Sequence, residues 1–147
     1  MREEKIRPIA ICVCRDGDRI LVTEFREKGR LYYRPLGGAI EFGERGDEAV
    51  RREFREEINA DLTEVRYVGL LENIYVAEGL RAHQIVLVYD GRLSDVSFYA
   101  KDIIQGDELG QPFKAVWKRL DEFGPGKPPV YPDGLLELLG VYCFLHK

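Results

Sequence analysis

The chain is short of several residues that would open whole classes of function. It has three cysteines and two histidines among 147 residues. Three cysteines is an odd number and too few for a disulfide framework. Cys12 and Cys14 lie two apart on an expected strand, so they share one face, and no further ligands stand near them. They read as a core pair and not as a metal site. His83 has no evident partner, and His146 falls near the end of the sequence. Long hydrophobic runs are missing too. The apolar run 9–14 is too short for an export signal, and the leucine-rich stretch 134–145 is too short to span a bilayer. With the odd cysteine count, this places the expected chain in the cytoplasm. Nor is there a basic excess. The net charge is −4, and no long basic stripe accompanies the arginines of 51–55, so a nucleic-acid partner is not expected.

What remains is an ordinary globular balance, 45% hydrophobic and 33% charged. The length suits one domain, residues 1–147, able to bury a core without staples. No repeats or low-complexity tracts appear. Residues 6–14 are apolar on both faces, as in a central strand. Asp16-Gly17-Asp18 signals a hairpin into a strand over 20–25. A polar loop over 26–30 and a short strand over 31–34 follow. Residues 62–76 alternate as a long strand, bent at Gly69; Glu78-Gly79 turns it back into a strand over 82–89. Residues 92–111 read as irregular, which in a compact domain marks a functional or mobile segment. Residues 114–120 make another strand, 124–132 a loop, and 134–145 a helix packed on the sheet. The order gives an α/β (α+β) chain with a mixed sheet between helices.

The most informative stretch is GGAIEFGERGDEAVRREFREEINA, residues 37–60. Its first part is glycine-rich. Its second has Val50, Phe54 and Ile58 at helical spacing, Asp47 at the expected N-cap and Asn59 at the expected C-cap. At roughly 100° per residue, Glu53, Glu56 and Glu57 fall within one arc beside that apolar stripe, with Arg51, Arg52 and Arg55 on the remaining side. Three carboxylates at i, i+3 and i+4 repel one another unless a cation neutralises them. A hard divalent cation with oxygen ligands suits that task. On the helix alone, a solvated face laced with ion pairs is the commoner outcome. The glycine-rich approach shifts the balance, because it lets the backbone come close to a ligand.

Gly38, Glu44, Arg52, Glu53, Phe54, Glu56 and Glu57 fill the spacing G-x5-E-x7-R-E-U-x-E-E-x-G-U, where U is bulky and aliphatic. The run therefore resembles the Nudix box. Asn59 and Ala60 replace its last two residues, and Phe54 is aromatic where an aliphatic is preferred; every charged position is intact. The resemblance implies an α/β/α sandwich and hydrolysis of a nucleoside diphosphate linked to another group, X. It implies Mg²⁺ as cofactor, with Mn²⁺ as substitute. Glu53, Glu56 and Glu57 are the first-choice ligands, Glu44 a further one, and the Gly38 carbonyl a backbone ligand. Arg52 orients, and Glu41 is either an outer partner or a turn residue.

The general base stays open between Glu56 and the acids of the irregular segment, Asp107 and Glu108. Gly106 and Gly110 flank that acid pair as if to let a loop close. The substrate is not legible: Tyr32, Tyr33, Phe42, Tyr75, Phe113 and Tyr131 could each stack on a base. The expected partner is a nucleotide-derived small molecule, with a homodimer allowed and no membrane. Two other readings are a nucleotide sensor that does not turn its ligand over, weakened by the complete acidic set, and a nucleic-acid module, weakened by the acidic balance.

Overall fold

The computed structural model describes residues 4–140. Eight strands form the sheet: β1 (Ile6–Asp16), β2 (Arg19–Glu27), β3 (Arg30–Arg34), β4 (Leu36–Ala39), β5 (Leu62–Ala77), β6 (Leu80–Leu93), β7 (Ile103–Glu108) and β8 (Gln111–Arg119). The spatial order is β5-β6-β1-β2-β8-β7, with β3 also on β2 and β4 also on β1. β1 and β6 run parallel and the other pairs antiparallel, so the sheet is mixed. β1 takes a neighbour on each side, β6 and β4, and its stretch from Ala10 to Cys14 is buried. That explains its near-continuous apolar run.

The sheet carries an apolar cluster on each face. On one face, helix α1 (Gly46–Ile58) buries Val50, Phe54 and Ile58 against Ala10, Cys12, Cys14, Leu36 and Ile104. Phe54 is fully buried at its centre, and its truncation to alanine should cost ~3–5 kcal/mol. On the other face, the short helix α2 (Leu135–Leu138) joins Ile11, Val13, Val22, Tyr33 and Val88. The two helical layers make the expected sandwich. The expected helix over 134–145 is described only through Leu135–Leu138 and the residues just after it; 141–147, including His146, lie outside the described residues. Among the described residues no helix is long and apolar enough to cross a membrane.

Three local expectations need correction. The N-cap of α1 is Arg45, not Asp47. Its backbone N–H donates to Glu48 Oε1 at 2.9 Å, so the glutamate three residues on closes the helix start. Asp47 sits inside the first turn and pairs with Arg51 at 3.0 Å. Next, β2 runs through the expected 26–30 loop to Glu27 and leaves only a tight turn before β3. Finally, residues 92–111 are not irregular. They hold a 3₁₀ turn, Val96–Ala100, and the edge strand β7, which hairpins into β8. The pairing Ile103↔Val116 through Glu108↔Gln111 supplies the order that the polar sequence of β7 does not advertise. Asn59 caps α1 in the left-handed conformation, φ 54°. The register of β5 on β6 slips between Tyr67 and Gly69, at the glycine where a bend is expected, and also between Thr63 and Arg66.

Candidate active site

α1 meets β4 where Gly38 lies directly under Glu53. A Cβ on Gly38 would stand 2.6 Å from Glu53 Oε1, so only glycine lets that carboxylate settle on the strand. Arg52 then binds the surroundings together. Its Nε and Nη2 donate to the two oxygens of Glu44 at 2.8 and 3.0 Å, a bidentate fork. Nη1 donates to Glu53 Oε1 at 3.0 Å and to Glu56 Oε2 at 3.3 Å, and Nη2 also reaches the carbonyl of Ala39 at 3.0 Å. Glu41 stands at the edge, 3.6 Å from Arg52, and its backbone N–H donates to Glu44. The arginine that the helical wheel placed with the basic residues is thus turned into the carboxylates, with a side chain only 22% exposed.

The acids of the helix are not equivalent. The Glu53 side chain is 13% exposed and that of Glu56 57%. Glu57 is 8% exposed, the one buried charged residue among the described residues. Its Oε1 is buried without a hydrogen-bond partner among the described residues. Burial pushes the Glu57 carboxyl up to about 8, helped by the charges of Glu53 and Glu108. Glu53 is also raised by burial, against the pull of Arg52. Glu44 goes the other way, because the Arg52 hydrogen bonds favour its charged form.

The hairpin of β7 and β8 brings in one more acid. β7 alternates, so Ile104, which packs on α1, shares its side with Gly106 and Glu108. Asp107 points to the opposite side, and its Oδ2 accepts from Gly110 N at 3.1 Å across the turn. Gly106 belongs to the ladder opposite Phe113, whose ring occupies the space a Cβ would need. It is a packing glycine within a strand and not a hinge. Of the two acids considered from the sequence, the structure brings Glu108 towards the helix and gives Asp107 to the turn.

The aromatic candidates separate as clearly. Tyr33 is buried in the α2-side cluster and Phe113 lies over Gly106. Phe42 is fully exposed in the glycine-rich loop. Tyr32 stacks on Phe25 at 4.9 Å and meets the edge of Tyr131 at 5.7 Å. Tyr75 lies exposed on β5. His83 Nε2 is buried without a partner among the described residues, on β6 opposite Ile74.

Among the described residues, no three acidic, histidine or cysteine side chains are already gathered to hold one ion. Arg52 instead holds oxygens of Glu44, Glu53 and Glu56. A divalent cation nevertheless fits the donor set. Among the described residues Glu57 Oε1 is a buried acceptor with nothing to accept from, beside the half-buried carboxylate of Glu53, and a hard cation satisfies both.

No curated protein matches the chain significantly. Among solved structures, a MutT NUDIX hydrolase from Burkholderia pseudomallei superposes with a TM-score of 0.68 at 21% identity, covering 94% of this chain and 99% of that one. A NUDIX hydrolase from Nitrosomonas europaea gives a TM-score of 0.65 at 15% identity, over 95% and 90% of the two chains. The ORF135 protein of E. coli gives 0.58 at 20%, over 97% and 91%. Identities this low show a shared fold. The family model of the NUDIX domain matches residues 5–134, nearly the whole chain. The chain therefore belongs to the NUDIX family of hydrolases and has the family's general activity, that of a pyrophosphohydrolase.

Proposed function

We propose that the chain hydrolyses a nucleoside diphosphate linked to a second group, X, with Mg²⁺ as the resident cation and Mn²⁺ as its substitute. The products would be a nucleoside monophosphate and phosphorylated X. The observation that carries this reading is the Glu53–Glu57 pair: a half-buried and a buried carboxylate one helical turn apart, the buried one with an oxygen that has no hydrogen-bond partner among the described residues. An uncompensated buried acid is costly, and a site that binds a cation is the economical reason to keep it.

Glu53 and Glu57 would hold the cation, with Glu44, Glu56 and the Gly38 carbonyl as further ligands. Bound there, Mg²⁺ would screen the phosphates and polarise the scissile phosphoanhydride. Arg52 fixes Glu44 through its fork and limits the positions that Glu53 and Glu56 can take. Water adds to one phosphorus, the bridging P–O bond breaks, and its electrons leave with the second phosphate. The water proton passes to a carboxylate. Glu108 is the favoured acceptor, because it faces α1 and its charge is felt at Glu57. Glu56, the most exposed of the three helix acids, is the alternative. Such a reaction needs mainly positioning and charge neutralisation from the protein, which matches a site built of carboxylates and one committed arginine.

The test is a panel of nucleoside diphosphate derivatives incubated with the chain and Mg²⁺, followed for nucleoside monophosphate. Turnover should appear for at least one class, vanish in chelator and return with Mg²⁺ or Mn²⁺. Full turnover in chelator would refute the metal-dependent reading.

A further inference from the structure

The substrate proposed above carries a diphosphate into a neighbourhood of Glu41, Glu44, Glu53, Glu56, Glu57 and Glu108. Arg52 cannot greet it freely, since its donors are already spent on carboxylates and a carbonyl. A different arginine stands ready. β3 alternates, so Leu31 and Tyr33 enter the α2-side cluster while Tyr32 and Arg34 take the opposite side. Phe25 on β2 pairs with Tyr32, their rings 4.9 Å apart and nearly parallel. The guanidinium of Arg34 lies 4.8 Å from the centroid of Phe25. Tyr131 closes the far end of the row against Tyr32; it is held there by its N–H, which donates to the carbonyl of Tyr33 at 2.9 Å. The row runs Tyr131, Tyr32, Phe25, Arg34.

Arg34 is exposed, and among the described residues its side chain makes no ion pair or hydrogen bond. The chain passes from it through Pro35 into β4 and reaches Gly38, under Glu53, four residues later. The guanidinium is therefore braced on a flat ring, has its hydrogen-bonding fork unused, and borders the carboxylate site. A cation held on an aromatic face keeps its in-plane N–H donors free for an anion.

We propose that Arg34 is a substrate-binding residue, gripping the phosphates of the linked diphosphate with its guanidinium fork, and that Phe25 is the positioning residue that holds it. The proposal rests on the reading of the site as one for nucleoside diphosphate derivatives. Arg34 supplies the fixed positive charge that Arg52 cannot, and it does so before any cation binds. A lysine there would keep the charge and lose the two-pronged geometry.

The test is equilibrium binding of inorganic pyrophosphate and of nucleoside diphosphates to the full chain in chelator, where metal cannot carry the affinity. The parent should bind saturably. Arg34→Ala should weaken binding of both probes at least about tenfold, the order expected for loss of a charge-assisted contact. Arg34→Lys should recover part of the loss. Phe25→Leu should weaken binding too, and adding it to Arg34→Ala should cost nothing further, because the ring acts through the arginine. In turnover, Arg34→Ala should raise KM more than it lowers kcat. Melting curves should match the parent for the exposed Arg34 variants. A parent that binds neither probe, or an Arg34→Ala chain that binds both as well as the parent, overturns the proposal. Arg34-dependent binding without turnover of any panel member would instead refute hydrolysis and leave the anion grip standing.

Discussion

Two acidic regions of this molecule use the same residue types to different ends. On α1, Glu57 is buried and Glu53 half-buried; they share a helical turn and are crowded by Arg52 and Glu44. At the tip of the β7–β8 hairpin, Asp107 is exposed and its carboxylate holds a turn together. Glu108 stands next to it in sequence yet faces the helix, and so belongs to the first region by geometry. Composition does not separate Glu57 from Asp107, but burial does; strand alternation alone sets Glu108, itself exposed, on the helix side. A carboxylate taken from water must find a cation or give up its charge, whereas one left in water has no such demand.

The sharpest way to break this contrast is Glu57→Gln. The amide keeps the size and removes the charge. Turnover should fall by orders of magnitude, while melting without metal should hold or rise as repulsion with Glu53 is relieved. An amide variant as active as the parent would place Glu57 with the merely structural acids.

Next in size comes the pair at the hairpin. Glu108→Gln should lower kcat by ~10²- to 10⁴-fold with KM little changed, as for removal of a general base. Asp107→Asn should leave kcat near the parent value, because that carboxylate serves the turn. The pH profile of kcat should lose its acid limb only in the glutamate variant. Equal losses in both would erase the distinction drawn from strand alternation, and no loss in either would move the role to Glu56.

A smaller effect should appear in stability. The Glu57 carboxyl is pushed up to about 8 from its usual 4.5. Below about pH 4.5 it is neutral whether the chain is folded or not. Between there and about 8 the unfolded chain ionises it while the folded chain holds it neutral, so the metal-free protein should lose stability as pH rises through this window. Thermal melting in chelator from pH 5 to 8.5 should show that decline, and Glu57→Gln should flatten it. A slope identical in the two proteins would mean that the burial of Glu57 is not felt.

The contrast also shows what the sequence could convey. The glycine-rich loop and α1 were legible because their information is local: apolar residues every fourth position, a left-handed cap at Asn59, and a fixed spacing from Gly38 to Glu57. The long β5–β6 hairpin was legible for the same reason, through alternation and the Glu78-Gly79 turn. β7 was not. It is a polar edge strand whose order comes from pairing with β8, and its own residues carry no apolar run. The start of α1 was misplaced because a Glu48 carboxylate closes it from within, where Asp47 looked like the more usual cap. Arg52 sits among basic neighbours on a wheel, and only the fold shows that its side chain turns back to Glu44. Nothing local marks Arg34 as a substrate contact. Its meaning depends on which face of β3 it takes and on Phe25 across the strand pair, and neither is written in the local sequence.

The central claim is that the Glu53–Glu57 pair is a cation site. It is tested most directly by the melting temperature of the parent and of Glu57→Gln, each titrated with Mg²⁺ from chelator at about pH 8. A ligand that binds only the folded chain raises its stability in proportion to the logarithm of its concentration above Kd. The parent should show a Mg²⁺-dependent rise in Tm and the variant little or none. An equal rise in both, or none in the parent up to tens of millimolar, would contradict the claim.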